Sequence, residues 1–165
     1  MKNIILNIFL CIVPNNKFYK LKSFILNTAG LKVGKNTRIT GNIKIYGKGN
    51  VIIGDNVWLG IGCKFYLSDN AEIRIGNNCD IAPQVIFHTG THKTGGSERR
   101  AGLGVSNSIT IENGVWIGLG SIILAGSFVE SGVIIGAGSV LISDSYKSNS
   151  LYAGNPAIQK KMLEV

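Results

Sequence analysis

Acidic side chains are absent from the first third of this 165-residue sequence. Residues 1–54 hold no Asp or Glu against nine cations: Lys2, Lys17, Lys20, Lys22, Lys32, Lys35, Arg38, Lys44 and Lys48. The chain as a whole carries a net charge of +8. A basic segment beside apolar sequence fits an anionic membrane surface. Nucleic acid fits less well, because no recognised nucleic-acid module is present and aromatics are only 8% of residues, so no such partner is expected. Proline is also scarce, three residues against 22 glycines, which suits one compact, turn-rich β domain and excludes a disordered chain. Three cysteines without metal-type spacing exclude a zinc finger and a disulfide framework, and point to thiols in a reducing cytoplasm. The apolar run in MKNIILNIFLCIV is too short to span a bilayer, which takes about twenty residues. It also lacks a small-residue cleavage site before Pro14 and has only Lys2 as a basic start, so it does not read as a signal peptide.

A short period dominates what is present. From Ile111, steps of six reach Ile117, Ile123, Val129, Ile135 and Leu141. Four places after the first five of these stand Val115, Ser121, Ser127, Val133 and Ser139, all small. Gly118 and Gly136 directly follow their aliphatics. An amphipathic helix repeats every 3.6 residues and cannot keep such a face inward for thirty residues. A hexad means stacked parallel coils: a bulky apolar residue inward on each flat side, a small one near each corner, and Gly or Asn in the turns. Upstream, Val33, Ile39 and Ile45 keep the step. It shifts at Gly49-Asn50 to Ile53, Leu59 and Phe65, and again within 68–72 to Ile75, Ile81 and Phe87. Cys63 and Cys79 fall in the small inward slot.

The column is predicted over 31–145. An N-terminal helical segment covers 1–30, with Phe18, Leu21, Phe24 and Ile25 at helical spacing and Gly30 as its stop. This segment either lies on a membrane or a neighbouring subunit, or caps the column's end. The tail 146–165 is predicted to turn at Gly154-Asn155-Pro156 and end in a short helix over 157–165.

One stretch breaks the period. Residues 88–108, HTGTHKTGGSERRAGLGVSNS, contain no hexad and both histidines of the chain, His88 and His92. A loop of this length interrupting a regular scaffold is commonly functional. An imidazole titrates near neutrality and can take a proton from a hydroxyl; residue chemistry alone does not choose between the two.

The hexads resemble the left-handed, triangular β-helix of the hexapeptide-repeat acyltransferases. Phe87-His-Thr-Gly-Thr-His92 followed by Glu98-Arg99-Arg100-Ala-Gly102 is similar to the catalytic loop of members that O-acetylate bacterial surface polysaccharides. The resemblance implies an all-β, left-handed parallel β-helix with triangular coils. It also implies an acetyl-CoA-dependent O-acetyltransferase acting on a sugar hydroxyl, with His92 as general base. That imidazole needs an acceptor to fix its tautomer, and Glu98 in the same loop and Asp80, one side of the column earlier, are the candidates. His88, Arg99 and Arg100 would face the acceptor. Acetyl-CoA would lie in a groove lined by Trp116, Gly118, Gly120, Ser121, Ala125, Gly126 and Gly138, with Asn155, Lys160 and Lys161 near its far end; Trp58 occupies the same slot as Trp116 on another coil. The resemblance further implies a homotrimer with active sites between subunits and no metal. The basic N-terminus suggests a cytoplasmic protein held peripherally at the inner membrane face. Three alternatives remain: N-acetyl transfer to an amino sugar or sugar nucleotide, a non-catalytic scaffold, and a zinc carbonic-anhydrase-like site. The last needs three histidine ligands where this chain has two.

Overall fold

The computed structural model describes residues 2–164. Two short helices precede a left-handed parallel β-helix of about six coils. Its three faces are flat parallel sheets. The first face stacks Lys32–Val33, Asn50–Ile53, Glu72–Ile75, Ile109–Ile111, Phe128–Val129 and Ser145–Tyr146. The second stacks Arg38–Ile39, Trp58–Leu59, Asp80–Ile81, Trp116–Ile117, Ile134–Ile135 and Ser150–Gly154. The third stacks Lys44–Gly47, Lys64–Leu67, Ile86–His88, Ile122–Leu124 and Val140–Leu141.

Every aliphatic or aromatic residue on the six-step from Ile39 to Leu141 is buried, and Val33 at the bottom is half-buried. Each such side chain contributes about 1.5–3 kcal/mol when fully buried. Among the described residues there are two ion pairs, Arg74–Glu72 and Lys147–Glu130, both at the surface. Surface pairs contribute about 0–1 kcal/mol each, so the packed interior holds the column. The small inward slot does a second job. Ser121 Oγ donates to Gly118 O and Gly136 O, and Ser127 Oγ to Leu124 O and Ile142 O, tying each corner to the next coil. The corners themselves take left-handed backbone: φ is +55° at Asn36 and Asn56, +56° at Asn78 and +67° at Gly114 on one stacked edge. Asn and Gly tolerate that region best.

The helices sit at the bottom. Helix α1 (Lys2–Ile12) buries Leu6 and Leu10. Asn7 exchanges two 2.9 Å hydrogen bonds with the backbone of Ile45, and Asn3 donates to Gly47 O, so α1 closes the open edge of the third face. Helix α2 (Tyr19–Thr28) does the same for the first face, with Asn27 bonded to both Val33 N and O. The segment therefore caps the column, and its other side, Ile4, Ile5, Ile8 and Ile12, is exposed. Helix α2 is turned differently from the simple spacing: Lys22 and Leu26 face inward, while Phe18, Leu21 and Phe24 are exposed. Lys22 Nζ donates to Pro14 O and Asn15 O, which draws the ammonium inside and pushes its pKa down through lost hydration. One of the nine N-terminal cations is thus removed from the basic surface. No helix among the described residues is long and apolar enough to cross a membrane.

The C-terminal helix expected over 157–165 is instead a strand, Ala157–Met162, antiparallel to Ser150–Gly154. The last coil leaves a row of unpaired backbone groups on the second face, and the returning chain satisfies them.

Candidate active site

The irregular stretch is a β-hairpin. Gly90–Thr94 pairs with Ala101–Ser106, and the turn is closed by Gly95 N to Arg100 O. It leaves the corner after the third-face strand Ile86–His88 and returns to the first-face strand Ile109–Ile111. Its root is fixed. Buried Thr89 accepts from Ser68 N through Oγ1, and Ser106 Oγ donates to Asp69 O. Beneath the corner, Phe87 is packed in the interior, ring over ring with Phe65.

His88 and His92 converge on one cleft of about 350 Å³ at that root, lined also by Ser68, Gly90, Thr91, Gly104, Val105 and Ser106. Both histidines are exposed. His88 ends a ladder of rings at the corner: Tyr46 stacks on Tyr66 at 5.0 Å, and Tyr66 meets His88 edge-on at 5.8 Å. His92 stands opposite Gly104 in the hairpin. Glu98, Arg99 and Arg100 are exposed at the hairpin's turn, and Glu98 makes no hydrogen bond to His92. Asp80 is elsewhere, on the second face between Trp58 and Trp116. Within one protomer, then, neither expected acid orients His92, because one is at the tip and the other is on a different side of the prism.

The expected acetyl-CoA residues divide by burial. Trp116, Gly138, Asn155, Lys160 and Lys161 are exposed, and Gly120 is half-buried, with open space where a Cβ would point. Gly118, Ser121 and Ala125 are buried, which corrects their expected role as groove lining. A Cβ at Gly118 would lie 2.5 Å from Ala137 N, so its bare Cα serves coil stacking. Gly126 is likewise packed, against Ser143. Sequence reasoning missed a stripe along the corner between the second and third faces. Ile61, Pro83, Leu119 and Ala137 stack there through Gln84 N to Ile61 O, Gly120 N to Pro83 O and Gly138 N to Leu119 O. Leu119 is 54% exposed, as is Trp116 beside it. The signal was available: each stripe residue stands two places after an inward hexad residue. Among the described residues, no three His, Cys, Asp or Glu converge as a metal site.

No protein-family model matches the chain. In sequence it is 44% identical over 108 residues to a Dictyostelium discoideum protein whose name provisionally assigns it to the acetyltransferases; the match covers 66% of this chain and 55% of that one. It is 34% identical over 77 residues to galactoside O-acetyltransferase of Lactococcus lactis subsp. lactis, covering 44% of this chain and 37% of that one. The chain thus matches about half the length of such relatives or less. In fold it is similar to a hexapeptide-repeat-containing acetyltransferase of Vibrio cholerae O1 biovar eltor complexed with acetyl-CoA, at a TM-score of 0.78 with 20% identity over 99% of this chain and 86% of that one. It is also similar to an N-acyltransferase of Bacillus cereus in complex with dTDP-4-amino-4,6-dideoxyglucose and coenzyme A, at 0.72 with 20% identity over 92% of each.

Proposed function

We propose that the chain is a hexapeptide-repeat acyltransferase and that it transfers an acetyl group from acetyl-CoA to a sugar hydroxyl, with His92 as general base. The observation that carries this reading is the hairpin that interrupts the coils of the prism and brings both histidines to one cleft. His92 takes the hydroxyl proton as the sugar oxygen bonds to the thioester carbonyl carbon. The tetrahedral oxyanion is held by N–H donors of the adjoining coil and hairpin. It collapses with cleavage of the C–S bond, and the proton on His92 passes to the departing sulfur.

The prism supports assembly as a homotrimer. The imidazole of His92 has no hydrogen-bond partner among the described residues, and the apolar corner of Ile61, Pro83, Leu119 and Ala137 offers a contact that would set a neighbour beside it. In that arrangement acetyl-CoA runs past Trp116, Leu119, Gly120 and Gly138 towards Asn155, with Lys160 and Lys161 for its phosphates. His88 borders the acceptor, while Arg99 and Arg100 reach it from the hairpin tip. The bare Ile4, Ile5, Ile8 and Ile12 side of α1, in an N-terminal segment that carries cations and no acids, suits peripheral contact with the anionic inner membrane face. Sedimentation with anionic vesicles, against neutral ones and against Ile8→Asp, tests that contact.

Transfer to an amino sugar uses the same cleft with an amine as nucleophile. Thiol release from acetyl-CoA over a panel of sugars and amino sugars, with mass analysis of the product, separates the two. His92→Ala should abolish release with the assembly intact. Retained turnover in His92→Ala and loss in His88→Ala would move the base to His88; loss in neither would end the transferase reading.

A further inference from the structure

The second face carries an outward row that neither the hexads nor the hairpin required. Arg38, Trp58, Asp80 and Trp116 stand on successive coils in direct register. The lower part of the row floors a groove of about 1120 Å³ closed on its other side by α2. Tyr19 and Phe24 wall it, with the Tyr19 ring 6.5 Å from that of Trp58. Lys20, Lys35 and Arg38 enter the same groove, all exposed and none in an ion pair among the described residues. Asp55 is committed to the fold, since its Oδ1 accepts from Lys35 N. The Asp80 carboxylate accepts no hydrogen bond within the described protomer.

These groups have the chemistry of a glycosyl phosphate. An indole face covers the C–H side of a pyranose while its polar edge stays available. A carboxylate offers two acceptor oxygens to vicinal hydroxyls. Guanidinium and ammonium groups clustered at one end suit a phosphate, through charge-assisted hydrogen bonds. We propose that this groove is the acceptor subsite, and that the acceptor is a sugar bearing phosphate on its anomeric oxygen. The proposal rests on the transferase reading above. The sugar lies over Trp58 and Asp80 with its phosphate towards Lys20, Lys35 and Arg38. Trp116, one coil above Asp80 and so about 4.8 Å further on, begins the thioester channel. Because the groove is on the second face and the histidine cleft is at the third-face corner, the base comes from a neighbouring protomer. The phosphate can belong to a nucleotide sugar or to a lipid-linked sugar diphosphate, and the chemistry of the groove is shared by both.

Calorimetry on the full-length protein tests this with four hexoses (glucose, galactose, mannose, N-acetylglucosamine), each as methyl glycoside, 1-phosphate, uridine diphosphate ester and farnesyl diphosphate ester. For at least one hexose the phosphate forms should bind about tenfold or more tightly than the methyl glycoside. Lys35→Ala with Arg38→Ala should bring that ratio close to one. Asp80→Asn, at an exposed position, should weaken methyl glycoside and phosphate alike. Acetyl-CoA affinity, measured separately, should stay unchanged in both variants. Tighter binding of the farnesyl form assigns a lipid-linked acceptor, and tighter binding of the uridine form a soluble one. No preference for phosphate, no binding of any probe, or a preference that survives the double substitution would overturn the proposal. Failure to bind acetyl-CoA with sugar phosphate binding intact would instead overturn the transferase reading, and with it the acceptor role, while leaving the groove as a sugar-phosphate site.

Discussion

Phe65 and Phe87 lie ring over ring inside the prism, centroids 5.0 Å apart and planes inclined by only 11°. They are in register on adjacent coils of the third face, and the residue after Phe87 is His88, where the chain leaves the column. The stack therefore anchors the root of the hairpin. Phe87→Ala should destabilise the protein by about 3–5 kcal/mol, read from chemical unfolding. Phe87→Leu, which keeps more of the volume, should cost clearly less.

Gly118 and Gly120 make a paired test of packing against backbone conformation. Gly118→Ala drives a methyl into the Ala137 backbone and should lower the melting temperature strongly. Gly120→Ala meets nothing within 4 Å but must hold φ at +67°, a strain of about 1–2 kcal/mol. If Gly118→Ala proves the milder change, coil stacking at that corner is looser than described.

Leu119 is exposed on the apolar corner. Leu119→Asp should leave the protomer folded, by circular dichroism, while light scattering shows smaller species and acetyl transfer is lost. A variant that assembles normally would remove this corner from the subunit contact.

The thiols should differ sharply in reactivity. Burial pushes the Cys63 thiol up to about 12 and raises that of Cys79 as well, whereas Cys11 is exposed on α1. Only a thiolate alkylates readily. Iodoacetamide on the native protein should label Cys11 first, and Cys63 and Cys79 only on unfolding, as peptide mass analysis will show.

Glu130 ties the top coils. Its carboxylate accepts from Lys147 Nζ at 2.7 Å and from Ser148 N at 3.0 Å, and the Lys147 hydrogen bond, then Ser148, holds it below the usual carboxylate range. A depressed folded pKa means stabilisation that is complete above the unfolded value and lost as pH falls through the folded one. Glu130→Gln should remove that part of the acid dependence, seen as a flatter melting temperature against pH below neutrality.

The inward residues were legible because each is forced by the same local geometry, repeated coil after coil. The small slot was legible for the same reason, down to Cys63, Cys79 and the serines. The place of the hairpin showed as the one gap in the period, and both histidines as its content. The corner stripe of Ile61, Pro83, Leu119 and Ala137 was missed because outward apolar residues carry no periodic demand from the core. Asp80 lies close to His92 along the chain, yet adjacent strands of one coil look out from different faces, so the two do not meet within one protomer. Ser121 and Ala125 were placed in a groove that burial denies them.

What the sequence alone determined is the column: six-residue spacing leaves one way to bury those aliphatics, with turns where Asn and Gly permit left-handed backbone. Tertiary structure decided what the outside presents. Outward side chains twenty or more residues apart, such as Arg38, Trp58 and Asp80, become neighbours only when coils stack in register. The strand at 157–162 follows the same logic, since its partner is an open sheet edge that exists only once the last coil has formed.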